Sequence, residues 1–329
     1  MSPSDAPGAL PFPPEVDARL RTGAFLLVDK PRGPSSHQVT AWARDLLGVR
    51  TAGHSGTLDP GVSGLLWVGV GGALKLLPLL LEFPKRYVGL VRFHGEATDR
   101  DLARVLAEFH GPVYQTPPVR SAVKRERRVR TIHRLELVER RGPEVLLDVV
   151  AESGTYVRTL AVDLGEALGV EAHLEELRRT GNGPFTEARA VPLSRVADAA
   201  YAARRGDPAA LLELLHPIEE VWREFPAIVV KDSAAISVAH GSDLASGGIL
   251  AMPRTFSEGQ SVVLLTRLGD LLATGVALVD RDEIRHHRHG WVIDAKRVLV
   301  DPAKLPKLPG AAPRGPAEKP AEGLSPSTE

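Results

Sequence analysis

HSGTLDPGVSGLL, residues 54–66, is the most distinctive local sequence in this chain of 329 residues. Asp59 lies between Gly56 and Gly61, and Pro60 follows it directly, before an apolar run typical of a buried strand. Glycine permits close backbone approach, whereas proline fixes its own φ and keeps the preceding residue out of helical geometry. The pattern predicts a tightly shaped loop that presents a carboxylate. A common Asp-Pro-Gly surface turn is the alternative interpretation.

A second candidate segment is GTYVRTLAVDLG at 154–165, where Tyr156 and Arg158 lie at the end of a strand or the opening of a helix. Strand alternation would place both side chains on one face. An arginine beside a carboxylate keeps that acid ionised and orients it through paired hydrogen bonds. Arg158 is therefore a candidate partner for a catalytic carboxylate, and a purely structural ion pair is the alternative.

The third feature is a basic run at 120–134, in a chain whose 41 Lys and Arg balance its 41 Asp and Glu. The preceding QTPP disfavours a helix, so we predict a mobile basic loop that closes on a phosphate backbone. A solvated surface charge run is the alternative. The basic residues are Arg120, Lys124, Arg125, Arg127, Arg128, Arg130 and Arg134.

The composition excludes several function classes. The chain has no cysteine, which removes disulfide frameworks, thiol nucleophiles and cysteine-based metal sites. No GxSxG or GxGxxG motif stands between a strand and a helix, so neither a serine hydrolase nor a dinucleotide-binding fold is indicated. His286, His287 and His289 lie within four residues and point in divergent directions. We therefore predict neither a metal nor a cofactor.

Length and hydropathy suggest a globular protein of two domains. Hydrophobic residues make up 43% of the chain and charged residues 25%. The first residues lack the basic stretch and apolar run of a secretory signal, which predicts a cytoplasmic protein. Residues 62–81 are long enough to cross a bilayer, but glycines interrupt them. We predict a buried strand, a glycine turn and a short helix there, and no membrane contact.

The remaining patterns predict an α+β fold with much antiparallel sheet. Strands are expected at AFLLVDK, YVGLVRF, TIHRLELVER and EVLLDVVAES, and helices at HQVTAWARDLL (capped by Ser36 and ended by Gly48), at 101–109 and at TLAVDLGEAL. From AIVV at 227 onward, short strands alternate with glycine-bearing turns, which favours a small β-barrel. Proline-rich tails are expected at 1–20 and 303–329.

Five ordered motifs resemble the TruB/dyskerin family of RNA pseudouridine synthases. They are VDKPRGPSSHQV at 28–39, GHSGTLDPGVSGLL at 53–66, KRYVG at 85–89, GTYVRTLAVDLG at 154–165 and LRRTGNGPF at 177–185. The run at 114–132 resembles the archaeal and eukaryotic dyskerin branch, and the second part is similar to a PUA domain. The resemblance implies a pseudouridine synthase catalytic domain at 21–222, with a mixed, largely antiparallel sheet and flanking helices. A PUA RNA-binding domain would follow at 223–302.

The resemblance also implies roles for individual residues. Asp59 would be the catalytic aspartate, Arg158 its partner, and Tyr87 the ring that packs against the target base. Pocket and support roles fall to Tyr156, Leu177 and His54. A thumb loop that holds the RNA strand over the pocket would contain Lys124, Arg125, Arg127, Arg128 and Arg130.

The function implied by the resemblance is that of the catalytic subunit of an H/ACA ribonucleoprotein. It would isomerise ribosomal RNA uridines chosen by a guide RNA, together with small accessory proteins. The first alternative is a guide-independent enzyme for the TΨC loop of tRNA, and the second is a non-catalytic RNA-binding scaffold for ribosome assembly. The set Asp59, Tyr87 and Arg158 argues against the scaffold, because binding alone does not require an aspartate opposite an arginine in an aromatic pocket.

Overall fold

The computed structural model describes residues 11–116, 126–285 and 290–305. Arg120, Lys124, Arg125, the three-histidine cluster, residues 1–10 of the N-terminal tail and most of the C-terminal tail lie outside the described residues. The chain divides into two compact units, Met1–Ile218 and Glu219–Glu329.

The first unit combines helices with one large sheet. Its helices are α1 (Pro14–Thr22), α2 (Ser36–Leu47), α3 (Leu77–Glu82), α4 (Asp99–Glu108), α5 (Val157–Leu168), α6 (Leu193–Arg204) and α7 (Ala209–Leu214). Its strands are β1 (Ala24–Lys30), β2 (Ala52–Ser55), β3 (Val62–Val70), β4 (Lys85–Phe93), β5 (Gly111–Gln115), β6 (Arg128–Arg141), β7 (Glu144–Ala151), β8 (Ala172–Asn182), β9 (Phe185–Thr186) and β10 (His216–Pro217).

These strands form a sheet in the order β10-β1-β3-β8-β4-β7-β6-β5, with β2 beside β3 and β9 beside β8. The β3–β8 pair is parallel, and the other pairs are antiparallel. The mixed, largely antiparallel sheet predicted from the sequence is therefore confirmed. At the parallel pair, Val62 lies beside Leu177, so the start of β3 meets the middle of β8.

Two of the apolar cores formed by the described residues cover this sheet. One lies where α1, α2, α6 and α7 pack on β1 and β3. The other lies where α4 and α5 pack on β4, β6 and β7. Burial of apolar surface is the main stabilising contribution of both cores. Together they hold β3, β4 and β8, which carry the candidate site, in the middle of the sheet.

One prediction about a helix cap and one about the N-terminal tail were wrong. The helix α2 is capped by Ser35, whose Oγ accepts a hydrogen bond from Gln38 N, while Gln38 Oε1 accepts one from Ser35 N. This reciprocal pair satisfies two backbone donors and leaves Ser36 free for another role. Residues 14–20, placed in a flexible tail, belong to α1, because Val16 and Leu20 lie one turn apart and are both buried.

The second unit contains α8 (Glu219–Trp222), α9 (Asp232–Ala239) and one six-stranded sheet. Its strands are β11 (Ala227–Val230), β12 (Leu244–Ala245), β13 (Ile249–Ala251), β14 (Ser261–Leu265), β15 (Leu271–Ala277) and β16 (Trp291–Val298). They run in the order β12-β16-β15-β14-β11-β13. Their inward side chains form a separate apolar core with α9.

Residues 62–81 are distributed over β3, a 3-10 turn and α3. The strand, glycine turn and short helix predicted for them are therefore confirmed. Among the residues that the structure describes, no helix is long and apolar enough to cross a membrane.

Candidate active site

Asp59 lies in the loop that joins β2 to β3, and Ser36 holds this loop from one side. The Ser36 hydroxyl donates a hydrogen bond to Leu58 O and accepts one from Leu58 N, each at 2.8 Å. Both residues are buried. The backbone of the residue before Asp59 is therefore fixed to the first turn of α2. Because this contact is buried, water cannot take the place of the Ser36 hydroxyl.

Lys30 holds the loop from the other side, at the end of β1. Its Nζ donates to Val62 O at 2.7 Å and to Pro31 O at 2.8 Å. Burial lowers the pKa of this ammonium, and the charge of Asp59 opposes that shift. Gly33 N also donates to Pro60 O at 2.8 Å. The backbone is thus anchored on both sides of Asp59. These anchors fix the direction in which the Asp59 side chain leaves the loop.

The carboxylate of Asp59 meets the guanidinium of Arg158. Arg158 Nη2 lies 2.6 Å from Asp59 Oδ2, and the two side chains are 53% and 58% exposed. Arg158 is in the first turn of α5, 99 residues along the chain. An exposed pair adds little stability, so this contact is better suited to orienting the carboxylate.

Tyr87 lies in β4 and is tied to the Asp59 loop through Arg179 of β8. Tyr87 and Arg179 are partners in the sheet register. Burial lowers the pKa of the Arg179 guanidinium, whereas its interaction with the Tyr87 side chain, which includes a hydrogen bond, opposes that shift. Arg179 Nε also donates to Leu65 O at 2.7 Å. The buried guanidinium therefore joins β3 and β4 beneath the site.

Gly56 is required where the loop passes over Arg179. Its φ is +67°, and a Cβ built there would lie 2.9 Å from Arg179 Nη1. A larger residue would be strained and would also push on a buried charge. Gly56 was predicted to allow a close approach, and the group that approaches it is the Arg179 guanidinium.

His54 supports the loop from β2. Its Nδ1 lies 3.0 Å from Thr40 Oγ1 and its Nε2 lies 3.2 Å from Thr57 Oγ1. Burial lowers the pKa of His54, and the positive charges of His37 and Arg179 add to that effect. A neutral imidazole between two hydroxyls suits an orienting role.

The other two predicted pocket residues are Leu177 and Tyr156. Leu177 is half-buried in β8, between Val62 of β3 and Gly89 of β4. Tyr156 is the residue before α5, with φ −102° and ψ 102°. Because α5 begins at Val157, the strand alternation used to place Tyr156 and Arg158 on one face was wrong. A helix opening brings Arg158 to Asp59 instead.

The described part of the basic run shows two kinds of arginine. Arg127 is exposed and lies over the Tyr114 ring, with 4.5 Å between Cζ and the ring centroid. Arg128 is half-buried at the start of β6. Arg130 forms an ion pair with Glu152 at 2.8 Å, so its charge is balanced within the protein. Arg127 is therefore better placed than Arg130 to meet a phosphate.

The supporting roles of four residues were not predicted from the sequence: Ser36, Lys85, Gln115 and Arg179. Lys85 is buried at the start of β4, where its Nζ donates to Leu81 O and Phe83 O at 2.6 Å and to Ser153 Oγ at 3.2 Å. Burial and the charge of Arg179 lower the pKa of Lys85 to about 7. Lys85 and Arg179 belong to quoted motifs, but their burial could not be read from residue type.

The arrangement combines a fixed, solvent-accessible carboxylate with an arginine, and Arg179 links β3, which follows this loop, to Tyr87 of β4. Among the residues described by the structure, no group of three or more His, Asp or Glu is arranged to hold a metal ion. What these side chains offer directly is a charged oxygen for attack or proton removal and a flat face for a base.

We expect Ser36→Ala to loosen the Asp59 loop. The substitution leaves the buried Leu58 N–H and C=O without this partner, which costs about 1–3 kcal/mol of unfolding free energy. Ser35→Ala is the matched control, because it removes the α2 cap, at about 1 kcal/mol, and keeps both bonds to Leu58. Urea unfolding and product-formation rates should show that only Ser36→Ala slows the reaction. Equal rates for the two variants would contradict the support role.

Comparison with known families identifies the class of enzyme that this fold and site define. The model described as TruB family pseudouridylate synthase (N terminal domain) matches residues 44–157. The model for the tRNA pseudouridylate synthase B C-terminal domain matches 158–222, and the PUA domain model matches 226–299. The protein is an RNA pseudouridine synthase followed by a PUA domain.

Similarity to individual proteins extends over nearly the whole chain. A probable tRNA pseudouridine synthase B of Methanothermobacter thermautotrophicus is 42% identical over 92% of this chain and 93% of its own length. The corresponding protein of Methanocaldococcus jannaschii is 40% identical over 92% and 90%. The chain therefore belongs to the TruB/dyskerin family of pseudouridine synthases, as its motifs predicted.

Solved structures agree with this assignment. A chain in the crystal structure of a Cbf5-Nop10-Gar1 complex superimposes with a TM-score of 0.81, at 36% identity, over 94% of this chain and 99% of that chain. A chain in the structure of an H/ACA RNP bound to a substrate RNA containing 2'-deoxyuridine gives a TM-score of 0.77 at 33% identity, over 93% and 99%. The predicted fold class is confirmed.

Proposed function

We propose that this enzyme is the catalytic subunit of a guide-directed ribonucleoprotein that isomerises uridines in ribosomal RNA. The observation that carries the proposal is the similarity, along the full chain, to proteins solved within H/ACA assemblies. Its partners would be a guide RNA and small accessory proteins of the kind named in those complexes. In such an assembly, base pairing with the guide selects the sequence, and the protein recognises RNA shape.

The chemistry proposed for Asp59 is a rearrangement at one nucleotide. The bond between N1 of uracil and C1′ of the ribose breaks, the base turns, and a bond between C5 and C1′ forms. The proton lost from C5 is balanced by the proton gained at N1. Asp59 acts either as the nucleophile at C1′ or as the base that removes a ribose proton. Both routes need an ionised, oriented carboxylate, which the contact with Arg158 supports.

The proposed role of Tyr87 follows from access to the base. A uridine within structured RNA must leave its stack before its glycosidic bond can be reached. An aromatic ring offsets the lost stacking, and Tyr87 is half-buried beside Leu177 in the middle of the sheet. Tyr156 and Leu177 would complete the pocket around the displaced base.

The basic residues of the predicted thumb loop would hold the RNA backbone near this pocket. Arg127 and Arg128 support this proposal at the start of β6. Of the other predicted residues, Arg130 pairs with Glu152, and Lys124 and Arg125 lie outside the described residues. Phosphate contacts made by such arginines position the RNA and do not select its sequence.

A second function is favoured by a separate observation. Relatives that are 40–42% identical carry the name probable tRNA pseudouridine synthase B. The alternative is therefore an enzyme that modifies the TΨC loop of tRNA without a guide. The non-catalytic scaffold receives less support, because Asp59 and Arg158 meet at 2.6 Å in the arrangement that catalysis requires.

The two candidates are separated by the RNA that the purified protein modifies. Pseudouridine formation should be measured on an unmodified tRNA transcript and on a ribosomal RNA fragment with a matching guide, each with and without accessory proteins. We expect product in the ribosomal fragment only when the guide is present, because selection rests on base pairing. Product on tRNA alone would contradict the guide-directed function and support the second candidate.

A further inference from the structure

Gln115 makes an unusual contact with the backbone of Tyr156. Gln115 is the last residue of β5, and its side chain is buried. Its Oε1 accepts a hydrogen bond from Tyr156 N at 2.9 Å, and its Nε2 donates one to Tyr156 O at 3.2 Å. One side-chain amide thus satisfies both backbone groups of a single residue, as a neighbouring strand would.

This contact fixes the residue from which α5 starts. The N–H groups at the start of a helix have no partner within the helix. Tyr156 keeps an extended backbone before α5, and its carbonyl also accepts from Leu160 N at 3.0 Å. The two hydrogen bonds from Gln115 therefore fix the backbone conformation of Tyr156 and the point at which α5 begins.

The same two hydrogen bonds determine where Arg158 lies. Arg158 follows Tyr156 by two residues and lies in the first turn of α5, where its Nη2 reaches Asp59 Oδ2. A rotation of the helix start would displace the end of this long side chain from the carboxylate. Positioning errors of about 1 Å are enough to cost about 10²-fold in rate.

The turn before Tyr156 is held independently. Glu152 accepts a hydrogen bond from Thr131 N at 3.0 Å and pairs with Arg130, while Ser153 meets Lys85. These contacts fix residues 152–153 and do not touch Tyr156 itself. Thr155 is held by hydrogen bonds from its N and its Oγ1 to Glu152 O. Gln115 then holds both backbone groups of the next residue, at the step from the turn to the helix.

We propose that Gln115 is a positioning residue for the isomerisation, acting through Tyr156 and Arg158. The proposal rests on the proposed site, because Gln115 contacts neither the carboxylate nor the base. Its side chain keeps Tyr156 and Arg158 in the geometry that the seated nucleotide requires.

Two substitutions test this role. Gln115→Met keeps the volume and removes both hydrogen bonds. Gln115→Glu keeps an acceptor for Tyr156 N but places a second carboxylate oxygen against Tyr156 O. Burial and the facing carbonyl disfavour the ionised form and raise the pKa of the new carboxyl group, and the protonated form can again donate to Tyr156 O.

The measurements are the single-turnover rate of pseudouridine formation, RNA affinity and thermal unfolding, with the RNA that gives product with the wild-type protein. We expect Gln115→Met to lower the rate about 10–100-fold at unchanged RNA affinity. We expect Gln115→Glu to be slow at about pH 8 and to recover relative to wild type as the pH falls to about 5.5. Gln260→Glu, at an exposed turn where Gln260 Oε1 accepts from Ser257 N, is the matched control and should follow wild type at each pH.

Lower unfolding temperature with a wild-type rate would make Gln115 merely structural and overturn the proposal. A rate defect of Gln115→Glu that does not change with pH would also overturn it. If Gln115→Met does not fold, the pH profile of Gln115→Glu still tests whether Gln115 is a positioning residue. Retained turnover by Asp59→Asn would show instead that the proposed site has failed, whatever the Gln115 variants do.

Discussion

Asp59→Asn is expected to abolish pseudouridine formation while leaving RNA binding intact. The amide has nearly the shape of the carboxylate, but it is neither a nucleophile nor a base at neutral pH. Loss of an essential catalytic group typically lowers the rate by about 10⁴-fold or more. Asp59 is exposed, and its pair with Arg158 lies at the surface, so unfolding free energy should change by less than about 1 kcal/mol.

The measurement compares product formation with equilibrium RNA binding for Asp59→Asn and wild type. Single-turnover conditions separate the chemical step from product release. If Asp59→Asn formed product at a rate near that of wild type, Asp59 would be removed from the mechanism. If it lost RNA affinity in proportion to its rate, Asp59 would be a binding residue.

Arg158→Met is expected to have the second largest effect. The Arg158 guanidinium lies 2.6 Å from Asp59 Oδ2, and without it the carboxylate loses its orientation. We expect the rate to fall about 10²-fold, because misplacement of a reacting group by about 1 Å has that cost. Arg158→Lys should recover part of the rate, since a lysine supplies the charge without the planar fork.

Arg104→Met is the matched control for this variant. Arg104 pairs with Glu108 in α4 at 2.7 Å, and both side chains are about as exposed as those of the Arg158–Asp59 pair. Exposed pairs of this kind contribute about 0–1 kcal/mol, so both variants should unfold at nearly the same urea concentration. Product assays should separate them, because only Arg158→Met alters the site. Equal rates would make the Arg158–Asp59 contact a structural ion pair.

Much of the sheet could be predicted from the sequence, because burial determines residue choice along a strand. The strand β1 is almost continuously apolar, and all but one of its residues are buried, so both of its faces are covered. The strands β6 and β7 are joined by a short glycine turn at Gly142, which the sequence marks clearly. Local patterns of this kind are readable without knowledge of the tertiary structure.

The first helix shows where composition misleads. Prolines near the N-terminus indicated a tail, yet a proline at the first helical position is favourable because its missing N–H has no helical partner there. Val16 and Leu20 then bury one face of α1 against the core formed with α6 and α7. Whether this segment forms a helix depended on an apolar surface formed by residues almost 200 positions away. The local sequence pattern contains no information about that surface.

The candidate site likewise contains features that local sequence predicts and features that only the tertiary structure reveals. The shaped loop that carries Asp59 was predictable because glycines and a proline act locally, whereas the catalytic role of Asp59 was predicted only from the family resemblance. The supports were not predictable, since Ser36 meets Leu58 across 22 residues, Gln115 meets Tyr156 across 41, and Arg179 meets Leu65 across 114. In the pair Arg178 and Arg179, only the pleat of β8 decides which guanidinium is buried. Contacts of long sequence separation are set by topology, and single residue types do not reveal them.

The guide-directed function is tested most directly by exchanging the guide. One ribosomal RNA fragment with two target uridines is incubated with the wild-type protein, accessory proteins and either of two guide RNAs, and pseudouridine is mapped by position. The proposal predicts that the modified uridine changes with the guide and that Asp59→Asn yields no product with either. Modification of the same uridine with both guides, or without any guide, would contradict it.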